Sequence, residues 1–366
     1  MADTTVAYKC PNCNAPLSFQ PGHDKVTCEY CSTEFEIETI KAMFDKEQER
    51  AAKAAEAEQA QWDTAGAGGE WESSETENLQ TFTCSACGAE LVCDENTIAT
   101  ECCYCGNPTM LPNRFTGMLK PDFVIPFKKT KQDAVAALKE FYKGKRLLPN
   151  AFTANNRVED IQPMYVPFWL FDSSVEAHAE FRAESINVIE TSDETITETS
   201  VYNCTRSGTM SFEKIPVDGS SKMDNDYMES IEPFDYSELV PFSAAYFTGY
   251  LADKYDEDAE MSVPRADKRV EASAIEVLQD TVEGYDNCST ESSAVIKEGG
   301  NVSYAMVPVW ILTTRYNGQP YTFMMNGQTG KFVGSLPYDK QKAMMYFAGS
   351  AAIVMFITYF IAKLFV

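Results

Sequence analysis

Residues 84–105 read CSACGAELVCDENTIATECCYC, and residues 10–31 read CPNCNAPLSFQPGHDKVTCEYC. Each stretch contains two Cys-x2-Cys pairs that are separated by fourteen residues. A leucine follows the first pair at the same offset in both stretches, as Leu17 and Leu91. Two independent copies of one spacing argue against a chance arrangement.

Closely spaced cysteines on two turns can converge on one tetrahedral zinc ion, which accepts four thiolates. Four cysteines leave no open coordination position, so both sites are predicted to be structural. Units this short cannot fold on a hydrophobic core alone, and metal binding would supply the missing stability. The predicted ligands of the two zinc ions are Cys10, Cys13, Cys28 and Cys31 in a first zinc ribbon, and Cys84, Cys87, Cys102 and Cys105 in a second.

A Cys-x2-Cys pair is also typical of redox dithiols, in which one thiol has a lowered pKa. Two pairs at ribbon spacing favour zinc over that alternative. Cys93 and Cys103 break the repeated spacing and are left out of the ligand sets, and His23 is interpreted as a loop residue. Cys204 and Cys288 are interpreted as small buried or ordinary surface thiols.

The composition limits the class of protein. A length of 366 residues predicts two or three folded units, and 44% hydrophobic with 23% charged residues is ordinary for globular proteins. Thirty Lys and Arg against 55 Asp and Glu give a net charge of −25, which has the wrong sign for binding a phosphate backbone. Nucleic acid and anionic lipid headgroups are therefore poor partners for the surface as a whole.

Two features argue against an enzyme. Only two histidines, His23 and His178, are available for acid/base chemistry. Gly327-Gln328-Thr329-Gly330-Lys331 lacks both the glycine spacing and the Ser or Thr after lysine that a phosphate-binding loop requires. The apolar runs on both sides of this segment predict a β-hairpin turn instead.

The region between the second ribbon and the chain's last apolar run is predicted to be α+β. Helices are expected at Lys131–Tyr142 and about Asp267–Val282. Strands are expected at Phe123–Ile125, Met164–Phe171, Val307–Thr314 and Tyr321–Met325. An internal repeat is also predicted, because Ile125-Pro126-Phe127, a helix and Val166-Pro167-Phe168-Trp169 are echoed by Val240-Pro241-Phe242, a helix and Val307-Pro308-Val309-Trp310.

The last part of the chain is a long apolar run. Ala343–Ala362 is a run of 20 residues without a charge. At 1.5 Å per residue such a helix is about 30 Å long, which matches the hydrocarbon core of a bilayer. Lys340 and Lys342 precede the run and Lys363 follows it, so the charge bias predicts a single-pass anchor in the cell membrane with the folded part in the cytoplasm.

The predicted architecture is multidomain, with two small four-cysteine zinc ribbons, an α+β region with an internal repeat, and one C-terminal transmembrane helix. Residues 39–80 combine an alanine- and glutamate-rich helix with a glycine-rich acidic stretch that predicts a flexible linker. The predicted domains are a first ribbon over 1–38, the helical and flexible linker over 39–80, a second ribbon over 81–111, repeat modules over 112–235 and 236–338, and the membrane helix over 343–362.

The chain resembles a family of bacterial membrane-anchored zinc-ribbon proteins, often described as TFIIB-type zinc-ribbon proteins or primosomal helicase relatives. The resemblance lies in the two ribbons, Val166–Trp169, Val307–Trp310, Asn326–Lys331 with Gly334 and Pro337, and the terminal helix. It implies partners among membrane proteins of the PspA and SPFH types in envelope stress. The helicase description lacks support, because the sequence has no Walker motif.

These observations favour a non-enzymatic, membrane-anchored zinc-ribbon adaptor or scaffold that recruits protein partners at the cytoplasmic membrane face. One alternative is a nucleic-acid-binding or transcription- or replication-associated zinc-ribbon protein, which the charge argues against. A further alternative is an enzyme, either a thiol oxidoreductase or a hydrolase in the repeat region. No catalytic residue is predicted, and the predicted cofactors are two structural zinc ions.

Overall fold

The computed structural model describes residues 8, 10–11, 15–17, 24–57, 62–95, 97, 101–115, 117–155, 158–191 and 194–364. The chain divides into two compact units. The first unit contains the described parts of residues 1–61 together with Ser173–Met210 and Ala274–Gly299. The second unit contains the described parts of residues 62–172, 211–273 and 300–366.

The strands are β1 Lys25–Thr27, β2 Glu34–Glu36, β3 Trp62–Asp63, β4 Leu79–Cys84, β5 Glu90–Asp94, β6 Met110–Arg114, β7 Phe123–Val124, β8 Gln162–Glu190, β9 Thr195–Asp218, β10 Val240–Pro241, β11 Leu251–Asp253, β12 Asn287–Tyr316, β13 Gln319–Asn326 and β14 Phe332–Gly334. The helices are α1 Ile37–Ala57, α2 Ser73–Thr76, α3 Lys131–Tyr142, α4 Asn150–Asn155, α5 Asn225–Ile231, α6 Ala259–Asp280 and α7 Lys340–Leu364. Short 3-10 turns occupy Val158–Asp160, Tyr236–Glu238 and Ala244–Phe247.

The two helices predicted in the α+β region are present: α3 has the predicted bounds, and α6 begins eight residues before the predicted start at Asp267. It begins with a capping box, in which the Thr130 hydroxyl accepts from the Asp133 N–H and the Asp133 carboxylate accepts from the Thr130 N–H. Ala134 and Leu138, which are four residues apart on one face, are fully buried. The mixed α and β character that the sequence predicted is therefore present.

One large sheet organises the second unit. Its described strands follow the order β10-β7-β12-β8-β11-β5-β4-β6, and β3 and β13 are added to β12. The two central strands cross the middle of the unit as continuous apolar runs, and Val166–Phe171 on β8 and Tyr304–Val307 on β12 are fully or almost fully buried. Such runs are typical of strands that are covered on both faces.

The strands are interleaved along the chain. The early strand β7 pairs in parallel with the late strand β12, and Ala305 lies opposite Phe123. The late strand β11 pairs in parallel with the earlier strand β8, and Leu251 lies opposite Met164. The segment β7–α3–β8 and the segment β11–α6–β12 are therefore interleaved, because the first strand of each segment pairs with the last strand of the other.

Two tryptophans make corresponding contacts in these segments. The Trp169 indole N–H donates to the carbonyl of Glu257, two residues before α6, at 2.9 Å. The Trp310 indole N–H donates to the carbonyl of Lys129, two residues before α3, at 3.0 Å. Each buried indole thus satisfies its donor at the start of a helix.

Two prolines also make corresponding backbone hydrogen bonds. The Pro167 carbonyl on β8 accepts from the Gly219 N–H at 2.9 Å, and the Pro308 carbonyl on β12 accepts from the Gly327 N–H at 2.7 Å. Both glycines directly follow the next strand along the chain, β9 and β13. A Cβ at Gly327 would lie 2.7 Å from the Phe127 ring, so the close approach requires glycine there.

In the first unit β1 and β2 form a hairpin in which Val26 lies opposite Phe35. This hairpin leads into α1, whose Ile40 side chain is buried against it. The same unit also contains parts of three long strands, within residues 173–210 and 274–299, which we call their distal parts. The whole strands β8, β9 and β12 are 29, 24 and 30 residues long. The predicted strands Met164–Phe171 and Val307–Thr314 lie outside these distal parts, which the prediction missed, although apolar and polar residues alternate over residues 175–184 of β8.

The segment Trp62–Glu77, which we expected to be a flexible linker, is packed within the second unit. The Trp62 side chain is buried, and its indole N–H donates to Asp267 at 2.8 Å. The Trp71 indole N–H donates to the Met118 carbonyl at 2.9 Å. Two aromatic anchors therefore outweigh the glycine-rich, acidic composition on which the prediction rested.

Gly300 on β12 is a point of close packing against Trp62. A Cβ there would lie 2.3 Å from the Trp62 ring and 2.5 Å from the Asp172 carbonyl oxygen. We expect Gly300→Ala to lower the free energy of unfolding by about 3 kcal/mol, because the backbone atom cannot move aside. The control Gly69→Ala, which meets nothing within 4 Å, is expected to change it by less than about 0.5 kcal/mol. Urea unfolding of both variants tests this, and equal stabilities would contradict it.

The segment Asn326–Lys331 forms the predicted hairpin turn. It joins β13 to β14, and Met325 lies opposite Phe332. The fully buried Asn326 carboxamide accepts from the N–H groups of Gln328 and Thr329, both at 2.9 Å. The prediction of a turn at this place is confirmed.

The helix α7 is long and apolar enough to cross a membrane. Its apolar side chains are exposed, among them Phe347 at 74% and Met355 at 65%. No part of its most apolar stretch is buried in the described structure. Within the described chain α7 is therefore not a buried core helix.

Candidate metal centres

Two identical turns carry the cysteines of the second unit. The Cys84 N–H donates to the Ala89 carbonyl at 2.8 Å, and the Gly88 N–H donates back to the Cys84 carbonyl at 3.0 Å. Cys102 repeats this pattern with Asn107 at 2.9 Å and Gly106 at 2.8 Å. Gly88 and Gly106 have φ angles of 73° and 64°, which explains why glycine follows these two Cys-x2-Cys pairs.

These turns bring together Cys84, Cys87, Cys102 and Cys105, whose sulfur atoms all lie within 4.8 Å of one another. Cys84 Sγ lies 3.7 Å from Cys105 Sγ, and Cys87 Sγ lies 3.6 Å from Cys102 Sγ. A tetrahedral zinc–thiolate site with bonds of about 2.3 Å places its sulfurs about 3.8 Å apart. The tetrad could therefore hold a metal ion, and its spacing fits a four-thiolate site.

The cysteines of the tetrad differ in acidity. Burial raises the pKa of the Cys84 thiol, but N–H groups of Cys87 and Ala86 and the neighbouring thiols outweigh this effect and lower the pKa to about 6. Burial raises the pKa of Cys87 and, more strongly, that of Cys102. Without a bound cation, ionisation of the Cys84 thiol is thus favoured and ionisation of the Cys87 and Cys102 thiols is opposed. A bound metal ion would reverse this, because metal binding displaces thiol protons.

The second cysteine region is continuous with the main sheet. Strand β5 pairs with β11, where Ala252 lies opposite Val92. The Thr313 hydroxyl on β12 donates to the Cys103 carbonyl at 2.6 Å, and the Arg315 side chain donates to the Cys105 carbonyl at 2.8 Å. The loop that carries half of the tetrad is therefore held by a central strand.

The first unit contains a related cluster. Cys10, Cys28 and Cys31 have their sulfurs within 4.8 Å of one another, and Cys10 Sγ lies 3.6 Å from Cys31 Sγ. Cys28 repeats the turn geometry, since its N–H donates to the Thr33 carbonyl and its carbonyl accepts from the Ser32 N–H, both at 2.9 Å. The predicted fourth ligand, Cys13, and His23 lie outside the described residues.

The remaining cysteines and the described histidine lie elsewhere. Cys93 and Cys103 are buried in the core, where Cys93 Sγ donates to the Thr97 carbonyl at 3.0 Å and Cys103 Sγ lies 3.6 Å from the Met164 sulfur. Cys204 and Cys288 are half-buried in the first unit. His178 Nδ1 lies 2.7 Å from the exposed Ser207 hydroxyl.

Asp253, which the sequence analysis did not single out, is fully buried at the end of β11. Burial raises the pKa of its carboxyl group to about 7. The hydroxyls of Ser220 and Tyr104 and the Lys222 ammonium lower this pKa in part, and Asp256 raises it. Neither carboxylate oxygen has a well-formed hydrogen bond. Only tertiary packing buries this residue, so no signal in the sequence could have identified it.

This carboxyl group makes stability depend on pH. Its pKa is about 7 in the folded chain against about 4 when unfolded, so the folded state holds the extra proton between these values. We expect the contribution of Asp253 to the free energy of unfolding to fall by about 3 kcal/mol between pH 5 and pH 8. Asp253→Asn should remove this fall. Urea unfolding of metal-loaded protein at both pH values tests it, and the same slope in wild type and variant would contradict it.

The chain is similar to a bacterial protein over nearly its whole length. No model of a known protein family matches the sequence, and no solved structure matches it. The chain is 31% identical over 346 residues to a Bacillus subtilis (strain 168) protein described as "Uncharacterized protein YdjG", and the match covers 94% of each chain. The chain belongs to the YdjG family. A match of this length includes most of both units, so the YdjG family shares more than the cysteine regions.

Proposed function

We propose that this chain is a non-enzymatic adaptor that α7 anchors in the cell membrane. The observation that carries the proposal is the occurrence, in one chain, of a closed four-cysteine cluster and a terminal helix whose apolar side chains are exposed. A four-thiolate site leaves no coordination position for a substrate, so its contribution is rigidity. A helix with exposed apolar residues on all sides is stable only in an apolar environment.

The two cysteine clusters would be zinc ribbons, each with one structural zinc ion. Four thiolates are the donor set of many structural zinc sites, and the sulfur spacing of Cys84, Cys87, Cys102 and Cys105 supports that assignment. Cys13 would complete the first site with Cys10, Cys28 and Cys31. This assignment agrees with the resemblance to membrane-anchored zinc-ribbon proteins.

The folded part would face the cytoplasm. Lys340 and Lys342 precede the apolar run of α7, and only Lys363 follows it. Positively charged residues remain preferentially on the cytoplasmic side of a membrane segment. The cytoplasm is also the compartment in which cysteines stay reduced and available to metal.

Membrane attachment would serve recruitment. A tether confines weakly binding modules near their target and can raise avidity without any new contact. The partners would be membrane proteins, and the resemblance suggests the PspA and SPFH types of envelope stress. The net charge of −25 argues against nucleic acid as the ligand.

The body between ribbon and anchor would consist of two related modules. The corresponding indole donors of Trp169 and Trp310 support an internal repeat, as do the corresponding contacts of Pro167 and Pro308. The interleaved pairing of β7 with β12 and of β11 with β8 has the same symmetry. Such a body would present a rigid platform to the recruited proteins.

Co-purification tests the proposal. Full-length protein is extracted from membranes in mild detergent and compared with Cys84→Ser/Cys87→Ser and with the control Cys204→Ser/Cys288→Ser. Bound proteins, nucleic acid and zinc are measured together. We expect membrane proteins to be recovered with the wild type and the control, and to be lost from the first variant.

Other outcomes identify the alternatives. Nuclease-sensitive nucleic acid in place of protein partners would favour a transcription- or replication-associated role. Thiol titration separates the redox alternative, because a redox dithiol reacts freely whereas a zinc thiolate set is protected until a chelator is added. Recovery of the same proteins with all variants would remove the cysteine clusters from recruitment.

A further inference from the structure

A local basic surface departs from the strongly acidic character of the chain. Residues 143–147 and 338–342 together contain five Lys or Arg and one Asp, although the whole chain has a net charge of −25. Lys143, Lys145, Arg146 and Lys340 are exposed to solvent. We refer to residues 143–147 and 338–342 as the basic collar.

The two halves of the collar are joined by specific contacts. The Asp339 N–H donates to the Leu147 carbonyl at 2.8 Å. The Lys342 ammonium donates to the Leu148 carbonyl at 2.6 Å and to the Asn150 side chain at 2.7 Å. The turn that follows α3 is therefore attached to the first residues of α7, directly before its apolar run begins at Ala343.

The turn is rigidly placed in the second unit. Leu148 is buried in a core cluster with Leu138 and Phe152. Gly144 has a φ of 75°, and the Leu148 N–H closes the turn on the Lys145 carbonyl at 3.0 Å. A turn that is fixed both to the core and to the start of α7 keeps its position when the helix is inserted.

The collar has the composition of a membrane-surface site. Its one carboxylate, Asp339, caps α7 by accepting from the N–H groups of Gln341 and Lys342 at 2.9 and 3.1 Å. Glu140 beside the collar pairs with Lys143 at 3.3 Å, so the five basic groups still outnumber these two carboxylates. Leu147 and Tyr338 are 40% and 64% exposed beside these charges. Exposed apolar and aromatic residues among Lys and Arg are typical of segments at the headgroup level.

We infer that the basic collar binds the headgroups of anionic phospholipids around the point where α7 enters the membrane. The inference rests on the proposed membrane anchoring by α7. The attachment of the turn to Lys342 places Lys143, Lys145 and Arg146 at the depth of the lipid phosphates. The acidic remainder of the surface is repelled from the same leaflet, so the collar would fix the orientation of the second unit on the membrane.

Lipid selectivity of the full-length protein tests this. The protein is reconstituted in phosphatidylcholine vesicles with trace spin-labelled phosphatidylglycerol or phosphatidylcholine, and the motionally restricted fraction of each label is measured. We expect phosphatidylglycerol to associate about threefold more strongly than phosphatidylcholine at low salt. This preference should disappear in 1 M salt, where the screening length is about 3 Å.

Charge variants locate the effect. Lys143→Gln/Lys145→Gln/Arg146→Gln should lose most of the preference, and Lys143→Arg/Lys145→Arg should keep it. The control Lys41→Gln/Lys46→Gln/Lys268→Gln removes the same charge from exposed positions elsewhere and should also keep it. A wild type without preference, or a triple collar variant that keeps the full preference, overturns the inference.

The anchoring itself is read from the same samples. Alkaline carbonate washing leaves a spanning protein in the vesicles and releases a peripheral one. A protein that stays in the vesicles without lipid preference refutes the collar alone. A protein that is washed off refutes the anchoring and the collar together.

Discussion

Replacing Cys84 and Cys87 by serine is expected to reduce the zinc content from two ions to one per chain and to destabilise the second unit. The substitutions remove two of the four sulfurs that lie within 4.8 Å of one another. A structural zinc site contributes an apparent binding free energy of about 10 to 16 kcal/mol, and this stabilisation is lost when binding fails. We expect the thermal midpoint of the second unit to fall by about 10 °C or more.

The effect should spread beyond the cysteine loops. Thr313 and Arg315 on β12 hydrogen-bond to the carbonyls of Cys103 and Cys105, so release of that cysteine loop leaves a central strand without these contacts. Metal analysis and calorimetry measure the two effects. Cys204→Ser/Cys288→Ser is the matched control, because it removes two half-buried thiols outside the tetrad. Unchanged zinc content in the first variant would refute the assigned ligand set.

Ending the chain at Pro337 is expected to move the protein from the membrane fraction to the soluble fraction almost completely. This truncation removes α7 and leaves the described strands of the second unit in place. A single apolar helix of about 20 residues is sufficient to hold a protein in a bilayer, and nothing else in the described chain is long and apolar enough. Fractionation after alkaline carbonate washing measures the change.

A pair of substitutions in α7 tests membrane association without truncating the chain. Ile353→Lys/Phe356→Lys places two charges in the middle of the apolar run, and each is unfavourable for insertion by about 3 kcal/mol. Both side chains are exposed in the structure, at 61% and 65%, and the described ring contact that is lost is the one between Phe356 and Phe360 within α7. The control Ile353→Leu/Phe356→Leu should stay in the membrane. Retention of the charged variant would indicate that α7 does not span the bilayer.

The cysteine turns and the terminal helix could be predicted from the sequence because both follow from local rules. The Cys-x2-Cys spacing determines a turn that brings the sulfurs of Cys84 and Cys87 close together, and the turn requires a positive φ at position 88, which glycine adopts without strain. The apolar run of α7 is a property of composition alone. Helix α3 was predicted at its observed bounds because its cap and its apolar face lie within one short window.

The features that were missed depend on distant residues. Trp62 and Trp71 order a segment whose composition indicates flexibility, through partners that are 205 and 47 positions away. The buried state of Asp253 results from the pairing of β11 with strands from two other parts of the chain. The extended length of β12 could not be predicted, because its distal residues do not alternate between polar and apolar. The distal part of β8 does alternate over residues 175–184, with its apolar side chains buried, so the sequence contained a strand signal there that was missed.

The interleaved order of the sheet has a consequence for how the chain acquires its structure. The Asp122 side chain accepts from the Tyr304 N–H, 182 positions later, and β7 has no parallel neighbour until β12 has been synthesised. Such a high contact order makes folding slow and leaves strand edges unpaired in the nascent chain. We therefore expect neither half of the sheet to fold when expressed alone, and we expect the growing polypeptide to depend on chaperones until β12 arrives.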